Sequence, residues 1–136
     1  MKHLFLDTNV VIDVLANRQP FCENSAKMFE KAKNGNVKLF ISSLSYSTIY
    51  YILNKEIGHK STIETLKKID NLIETLDVTS TIVKKSLYSD FPDFEDAIQY
   101  FTAISNKKIK VIVTRNHKDF KKSELLVLSP DEVLSL

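Results

Sequence analysis

Short apolar runs alternate along this chain with longer segments of helical periodicity, and that alternation limits the fold more than any other feature. The runs lie at residues 3–6, 39–41, 110–113 and 125–128, with a further short strand expected near Asp77 and Val78. The first is too short to tell strand from helix by its period, but its abrupt end at Asp7 favours a buried strand. Between the runs, Val10, Val11, Ile12, Val14 and Leu15 predict a first helix, which Thr8 or Asn9 can cap. A second runs from about Pro20 to Asn34, with Ala26, Met28, Phe29 and Ala32 as its apolar stripe and Gly35 as its stop. Residues 42–57 form a third, ended by Gly58, and residues 61–76 a fourth, opened by a capping box from Ser61 to Glu64. Short helices follow at 80–88 and from Pro130, and a longer one spans about 93–106. Helices alternating with strands of about four residues indicate an α/β fold with a mainly parallel sheet.

At 136 residues the chain is expected to be a single domain, residues 1–136. Cys22 is the only cysteine, so neither an internal disulfide nor a thiolate metal cluster can form. With no apolar run long enough for a leader or a membrane span, the protein is expected in the cytoplasm and off the membrane. The net charge of +2 does not by itself point to nucleic acid.

Asp93-Phe94-Glu95-Asp96 puts three carboxylates in four positions, just after Pro92 at a predicted helix start. Their repulsion has to be offset by solvent, a helix N-terminus or a cation. Asp7 ends the first strand beside a helix N-terminus, where ligands bind in open α/β sheets. Thr114, Arg115 and Asn116 end a later strand, with Asp119 just beyond. Asp93 and Asp96 share a helix face, while Glu95 points elsewhere into solvent. Capping accounts for Asp93 as well as metal ligation does, and on spacing alone surface solvation is the better account of Asp119. An all-oxygen set of aspartates suits Mg²⁺ or Mn²⁺ and not zinc. Between residues 107 and 122 lie seven lysines and arginines against the single acid Asp119. A basic rim beside an acidic pocket is what phosphodiester cleavage requires. Tyr46 and Tyr50, one turn apart, could stack bases, but a half-buried aromatic face is the simpler account. Neither Gly35 nor Gly58 belongs to a phosphate loop, which argues against a nucleotide-binding domain.

Together, Phe5-Leu6-Asp7-Thr8-Asn9, Asp93-Phe94-Glu95-Asp96-Ala97-Ile98 and Val113-Thr114-Arg115-Asn116-His117-Lys118-Asp119-Phe120 resemble the PIN domain over essentially the whole chain. The resemblance implies an α/β/α domain with Mg²⁺- or Mn²⁺-dependent ribonuclease activity. Small stand-alone members are often the toxin of a bacterial toxin–antitoxin pair, so RNA, a cognate antitoxin and a second copy are the partners it implies. Carried over by position, Asp7, Asp96 and Asp119 would hold metal, with Asp93 as an additional acid. Thr114 and Asn116 would surround the metal or the attacking water, and Arg115, Lys118 and Asn9 would meet the substrate.

One position departs from the pattern. Thr48, in Thr48-Ile49-Tyr50-Tyr51, stands where the family commonly has a glutamate. Glu56 lies roughly 12 Å further along a helix and cannot replace it in register. A threonine hydroxyl can orient water but cannot offset metal charge. Asp93 is then the nearby carboxylate that could fill the gap, and a catalytically silent RNA- or protein-binding module is the rival expectation.

Overall fold

The computed structural model describes every residue, Met1–Leu136. Five strands form one sheet: β1 (Lys2–Leu6), β2 (Val37–Ser42), β3 (Glu74–Leu76), β4 (Val111–Val113) and β5 (Leu126–Leu128). Their order is β3-β2-β1-β4-β5 and every pairing is parallel. The expected mainly parallel sheet is therefore wholly parallel. Six α-helices accompany it: α1 (Thr8–Leu15), α2 (Cys22–Lys33), α3 (Ser45–Leu72), α4 (Ser80–Leu87), α5 (Phe94–Ile104) and α6 (Pro130–Leu134). A 3₁₀ turn at His117–Phe120 joins β4 to β5.

The strands read as unbroken apolar runs because both sheet faces are covered, and the period of two sorts their side chains into two cores. Leu4, Leu6, Leu39, Ile41, Val111 and Val113 face one way and pack with Val10, Val11, Met28, Ile49, Leu53 and Ile69 of α1, α2 and α3. Phe5, Phe40 and Ile112 face the other way, against Tyr100 and Ala103 of α5 and Phe120 of the 3₁₀ turn. The result is a three-layer α/β/α sandwich. No helix is long and apolar enough to cross a membrane.

Several boundaries differ from the sequence-based expectation. The third strand is Glu74–Leu76, ahead of Asp77 and Val78, because these residues pair with Phe40, Ile41 and Ser42. That pairing ends the preceding helix at Leu72. Ser42 stays in β2, so α3 starts at Ser45. A second helical segment does follow Gly58 within the α3 span, but the expected box does not cap it: the Ser61 carbonyl accepts the Thr65 hydroxyl at 2.9 Å. Ala26 is exposed and Ser25 takes the buried place on α2. Tyr46 and Tyr50 are half-buried, as the simpler account had it.

Gly58 does break the helix, as expected. Its φ of 80° and ψ of 171° interrupt α3 in a region of backbone space that is essentially reserved for glycine. A Cβ there would meet nothing within 4 Å, so the constraint is conformational and not steric crowding by neighbours. Gly58→Ala is expected to cost about 1–3 kcal/mol, read as a lower urea midpoint with an unchanged slope.

Candidate metal centre

The chain runs from β1 to β2 to β3 on one side, then returns across the sheet to β4 on the other side of β1. The order reverses at β1 and β4, and a crevice opens beyond their carboxyl ends, where parallel sheets bind ligands. Asp7 is the first residue after β1. Its N–H donates to the Val113 carbonyl at 2.9 Å, which fixes its backbone to the end of β4. Asp7 occupies the N-cap position of α1 but its side chain caps nothing; that carboxylate is free for another role. Thr8, offered as a cap, is instead the first helical residue and is buried in a polar contact with Ser45 (2.7 Å) and Gln99 (2.9 Å).

A cleft of about 290 Å³ lies over this point, lined by Asp7, Thr8, Asn9, Thr48, Asp93, Glu95, Asp96 and Asp119. Five of the eight are carboxylates, and none is apolar or cationic. The elements that supply them are the β1–α1 junction, α3, the start of α5 and the 3₁₀ turn after β4. The structure thus brings together Asp7, Asp93, Asp96 and Asp119, which are distant in sequence. It also brings in Glu95, which the i, i+3 argument had turned outward. At the first turn of a helix whose end faces the cleft, successive residues reach the same opening.

Each acid has a defined support. The Thr114 hydroxyl, wholly buried, donates to Asp7 Oδ2 at 2.9 Å and accepts the Asn116 N–H at 3.1 Å. The Asn116 amide donates to Asp119 Oδ2 at 2.7 Å. Thr114 and Asn116 therefore touch the acids themselves and hold their orientation. Asp93 caps α5, accepting the Asp96 N–H at 3.0 Å, and lines the cleft as well. One oxygen of Asp93 serves the cap while the other remains, so the two accounts of Asp93 are compatible.

Arg115 departs from its expected place at the substrate. Its Nε and Nη2 donate to the two carboxylate oxygens of Asp13 at 2.7 and 3.2 Å, and its guanidinium lies 4.1 Å from the centre of the Phe21 ring. Asp13 is buried, with Arg18 at 3.8 Å as a second cation. A fork–carboxylate pair over an aromatic face satisfies Arg115 within the fold. Lys118, by contrast, is exposed on the turn that carries Asp119, and Asn9 is on the cleft wall. Asp13, Ser45 and Gln99 were not singled out in the sequence. Their signal, a polar residue inside an apolar stripe, is present but does not say which partner it meets.

The crowding of the carboxylates has an electrostatic consequence. Burial pushes the Asp96 carboxyl up to about 7, and Asp119, Asp93, Asp7 and Glu95 add to the rise by repulsion. Burial also raises Asp7, partly offset by the Thr114 hydrogen bond. No three His, Cys, Asp or Glu side chains close on a common point. Carboxylates of this kind fit a hard cation: Mg²⁺ takes one or two of them and fills its shell with water and phosphate oxygen.

A pH dependence follows. Asp96 binds its proton more firmly in the folded chain than in the unfolded one, so its contribution to stability is full below the ordinary value of 3.8. That contribution is lost as pH rises towards about 7. In EDTA, the Tm is expected to fall between about pH 4 and about pH 7, and millimolar Mn²⁺ is expected to restore it. Equal pH slopes with and without Mn²⁺ would remove the cleft as the cause.

Comparison with known proteins agrees with this architecture. Residues 3–118 match the PIN domain family. The chain is 26% identical over 136 residues to Ribonuclease VapC1 of Aquifex aeolicus (strain VF5), covering 96% of this chain and 92% of that protein. Among solved structures it is similar to VapC20 of Mycobacterium tuberculosis, described as a Sarcin-Ricin loop cleaving toxin. That match has a TM-score of 0.69 at 14% identity, over 90% of this chain and 96% of the other. A toxin–antitoxin complex from Klebsiella pneumoniae gives 0.69 at 22% identity, over 93% and 97%. DNA-bound VapBC from Salmonella typhimurium gives 0.68 at 19%, over 95% and 98%. At such identities the structural likeness speaks for the fold.

Proposed function

Because this chain belongs to the PIN domain family, we infer that it is a ribonuclease whose acidic cleft works with Mg²⁺ or Mn²⁺. One observation carries the reading: a cleft walled by five carboxylates, with no cation of the chain's own inside it. Asp7, Asp96 and Asp119, with Asp93, would hold the metal. A bound divalent cation would supply an activated water and charge stabilisation for the phosphorane. The chain's own residues prepare for it. Thr114 orients Asp7 and Asn116 orients Asp119, and Asp96, whose carboxyl is raised to about 7, would give up its proton on holding a cation. Asn9, on the cleft wall, and Lys118, exposed on the turn that carries Asp119, would meet substrate oxygens. The relatives that are toxins or toxin–antitoxin complexes support a cognate antitoxin as partner, and a homodimer is the assembly we propose.

A second reading has its own observation. Thr48 lines the cleft where a glutamate would add charge, and a neutral hydroxyl leaves the cation less firmly held. The chain would then be a binding module with little turnover. The two are separated by RNA cleavage in Mn²⁺ against EDTA, with Mn²⁺ titrated calorimetrically. The ribonuclease reading expects Mn²⁺-dependent cleavage, and Thr48→Glu is expected to tighten Mn²⁺ by about tenfold, since one more carboxylate near a divalent ion contributes on the order of 1.4 kcal/mol in a solvated cleft. Absence of both cleavage and millimolar Mn²⁺ binding in the wild type would favour the module.

A further inference from the structure

The acids of the cleft come from opposite sides of the sheet. α1 and α3 pack on one face, through Val10, Val11, Ile49 and Leu53, and α5 packs on the other, through Tyr100 and Ala103. Asp7 adjoins α1, whereas Asp93, Glu95 and Asp96 stand at the start of α5. Apolar contacts hold each layer to the sheet, but they do not fix how the two layers meet beyond the strand ends. Direct packing between the helix starts does not fix it either. A hollow of about 310 Å³, walled by Leu44, Ser47 and Thr48 on one side and Phe94, Ile98 and Gln99 on the other, lies between the beginnings of α3 and α5.

One buried polar group bridges the layers there. Gln99 Nε2 donates to Thr8 Oγ1 at 2.9 Å, and Thr8 Oγ1 lies 2.7 Å from Ser45 Oγ. Thr8, Ser45 and Gln99 are all buried. The bond from Gln99 is the sole side-chain hydrogen bond or ion pair that joins α5 to α1 or α3. Its place in the chain ties it to the cleft. Gln99 is three residues after Asp96, on the same face of α5, and Thr8 directly follows Asp7. Ser45 stands in the same relation to Thr48 on α3. The Thr8 hydroxyl is therefore held to the walls that carry Asp7, Asp96 and Thr48. Thr114 and Asn116 support Asp7 and Asp119 directly, but no hydrogen bond reaches the Asp96 carboxylate, so its position depends on where α5 is held. Stability does not account for Gln99. Its Oε1 is sealed from solvent and has no partner, and a half-satisfied buried amide is less favourable than an apolar side chain of similar shape. What the glutamine contributes is one directed donor.

We propose that Gln99 is a positioning residue: its bond to Thr8 sets the separation between Asp96 on α5 and Asp7 at the end of β1, and so how firmly the cleft holds a divalent cation. The inference rests on the metal reading above and deepens it by naming what fixes the span between the acids of the two layers. Repulsion among those acids pushes the start of α5 away from β1. The Gln99–Thr8 bond opposes that separation at a point closed to water, where no solvent competes for the donor. Hydrogen bonds that orient the groups around a metal typically change its affinity by about 10–100-fold when removed.

The test removes the donor and keeps the bulk. The full chain and its Gln99→Leu variant are compared by calorimetric Mn²⁺ titration, by urea unfolding, and by amide hydrogen exchange in EDTA. Gln99→Leu is expected to weaken Mn²⁺ binding by about tenfold while its urea midpoint stays at or above that of the wild type. Amides of residues 94–97 should exchange several-fold faster, and those of β1 and β4 at wild-type rates. Thr8→Val removes the acceptor and should weaken Mn²⁺ to a similar degree. Thr8→Ser keeps the hydroxyl and should bind as the wild type does. The double variant Gln99→Leu with Thr8→Val should lose no more than the weaker-binding single one, because both break the same bond. Wild-type Mn²⁺ affinity in Gln99→Leu overturns the proposal, and so do fully additive losses in the double variant. A lower urea midpoint with faster exchange throughout the chain also overturns it, and makes Gln99 an ordinary part of the core. If the wild type binds no Mn²⁺, the metal reading fails and exchange alone decides the link, which stands if residues 94–97 open faster in Gln99→Leu and falls if they do not.

Discussion

Asp96→Asn is expected to abolish most Mn²⁺-dependent RNA cleavage and at the same time to make the metal-free protein more stable. The two effects have one origin. Asp96 is half-buried among Asp7, Asp93, Glu95 and Asp119, and its carboxyl is pushed up to about 7 by that setting. Without a cation its charge works against the fold. Replacing it with a neutral isostere relieves the repulsion, and because solvent screens a half-exposed group the gain expected near neutral pH is about 1–2 kcal/mol, not the whole shift. With a cation the sign reverses. A ligand carboxylate supplies several kcal/mol of charge stabilisation, so its loss should lower the rate by roughly 10²–10⁴. Thermal melts in EDTA and single-turnover cleavage in Mn²⁺ read the two halves separately. A variant that is more stable yet cleaves at the wild-type rate would place Asp96 outside the metal shell. One that is less stable would mean the acids do not repel one another as described.

Arg115→Ala is expected to lower stability by about 3–5 kcal/mol, although the side chain is partly exposed. The reason lies with its partner. Asp13 is 1% exposed, and Arg115 supplies both short contacts to it. Without Arg115 the carboxylate keeps only Arg18 at 3.8 Å. Asp13→Ala should cost less, about 2 kcal/mol, because a freed guanidinium can turn to water while a stranded carboxylate cannot. The double variant should cost less than the sum of the two, and a double-mutant cycle measures the difference. Arg115→Lys should recover little, since an ammonium cannot make the two parallel bonds.

The same pair bears on the cleft. Arg115 stands between Thr114 and Asn116, which hold Asp7 and Asp119. Tying it to α1 fixes the turn from which both orienting side chains project. Mn²⁺ affinity should therefore fall in Arg115→Ala even though Arg115 does not line the cleft. If that variant instead lost RNA affinity with stability and Mn²⁺ binding unchanged, the arginine would be a phosphate clamp after all.

Much of this protein could be read from the linear chain, for definite reasons. The parallel α/β class followed from apolar runs of about four residues set between helical stripes, a pattern that only a sheet covered on both faces accommodates. Asp7 and Asp96 stood out because a carboxylate at the end of an apolar strand, or clustered at a helix start, has no packing role to account for it, whereas spacing alone left Asp119 a solvated surface acid and only the resemblance to the PIN domain pointed to it. The positions of Thr114 and Asn116 were legible too, but only as polar residues near a strand end.

Tertiary structure alone decided the rest. Which acids share one cleft depends on strand order, and the return from β3 to β4 across β1 is not written in any local period. Whether Glu95 faces the acids depends on where the end of α5 is aimed. The role of Arg115 turned on Asp13, 102 residues away in the chain, and a guanidinium looks the same in sequence whether it awaits a phosphate or is already paired. Local residue chemistry names the groups that can bind, because it depends on each side chain alone. Only the fold settles which of them meet, because electrostatics and hydrogen bonding act through space over a few ångströms.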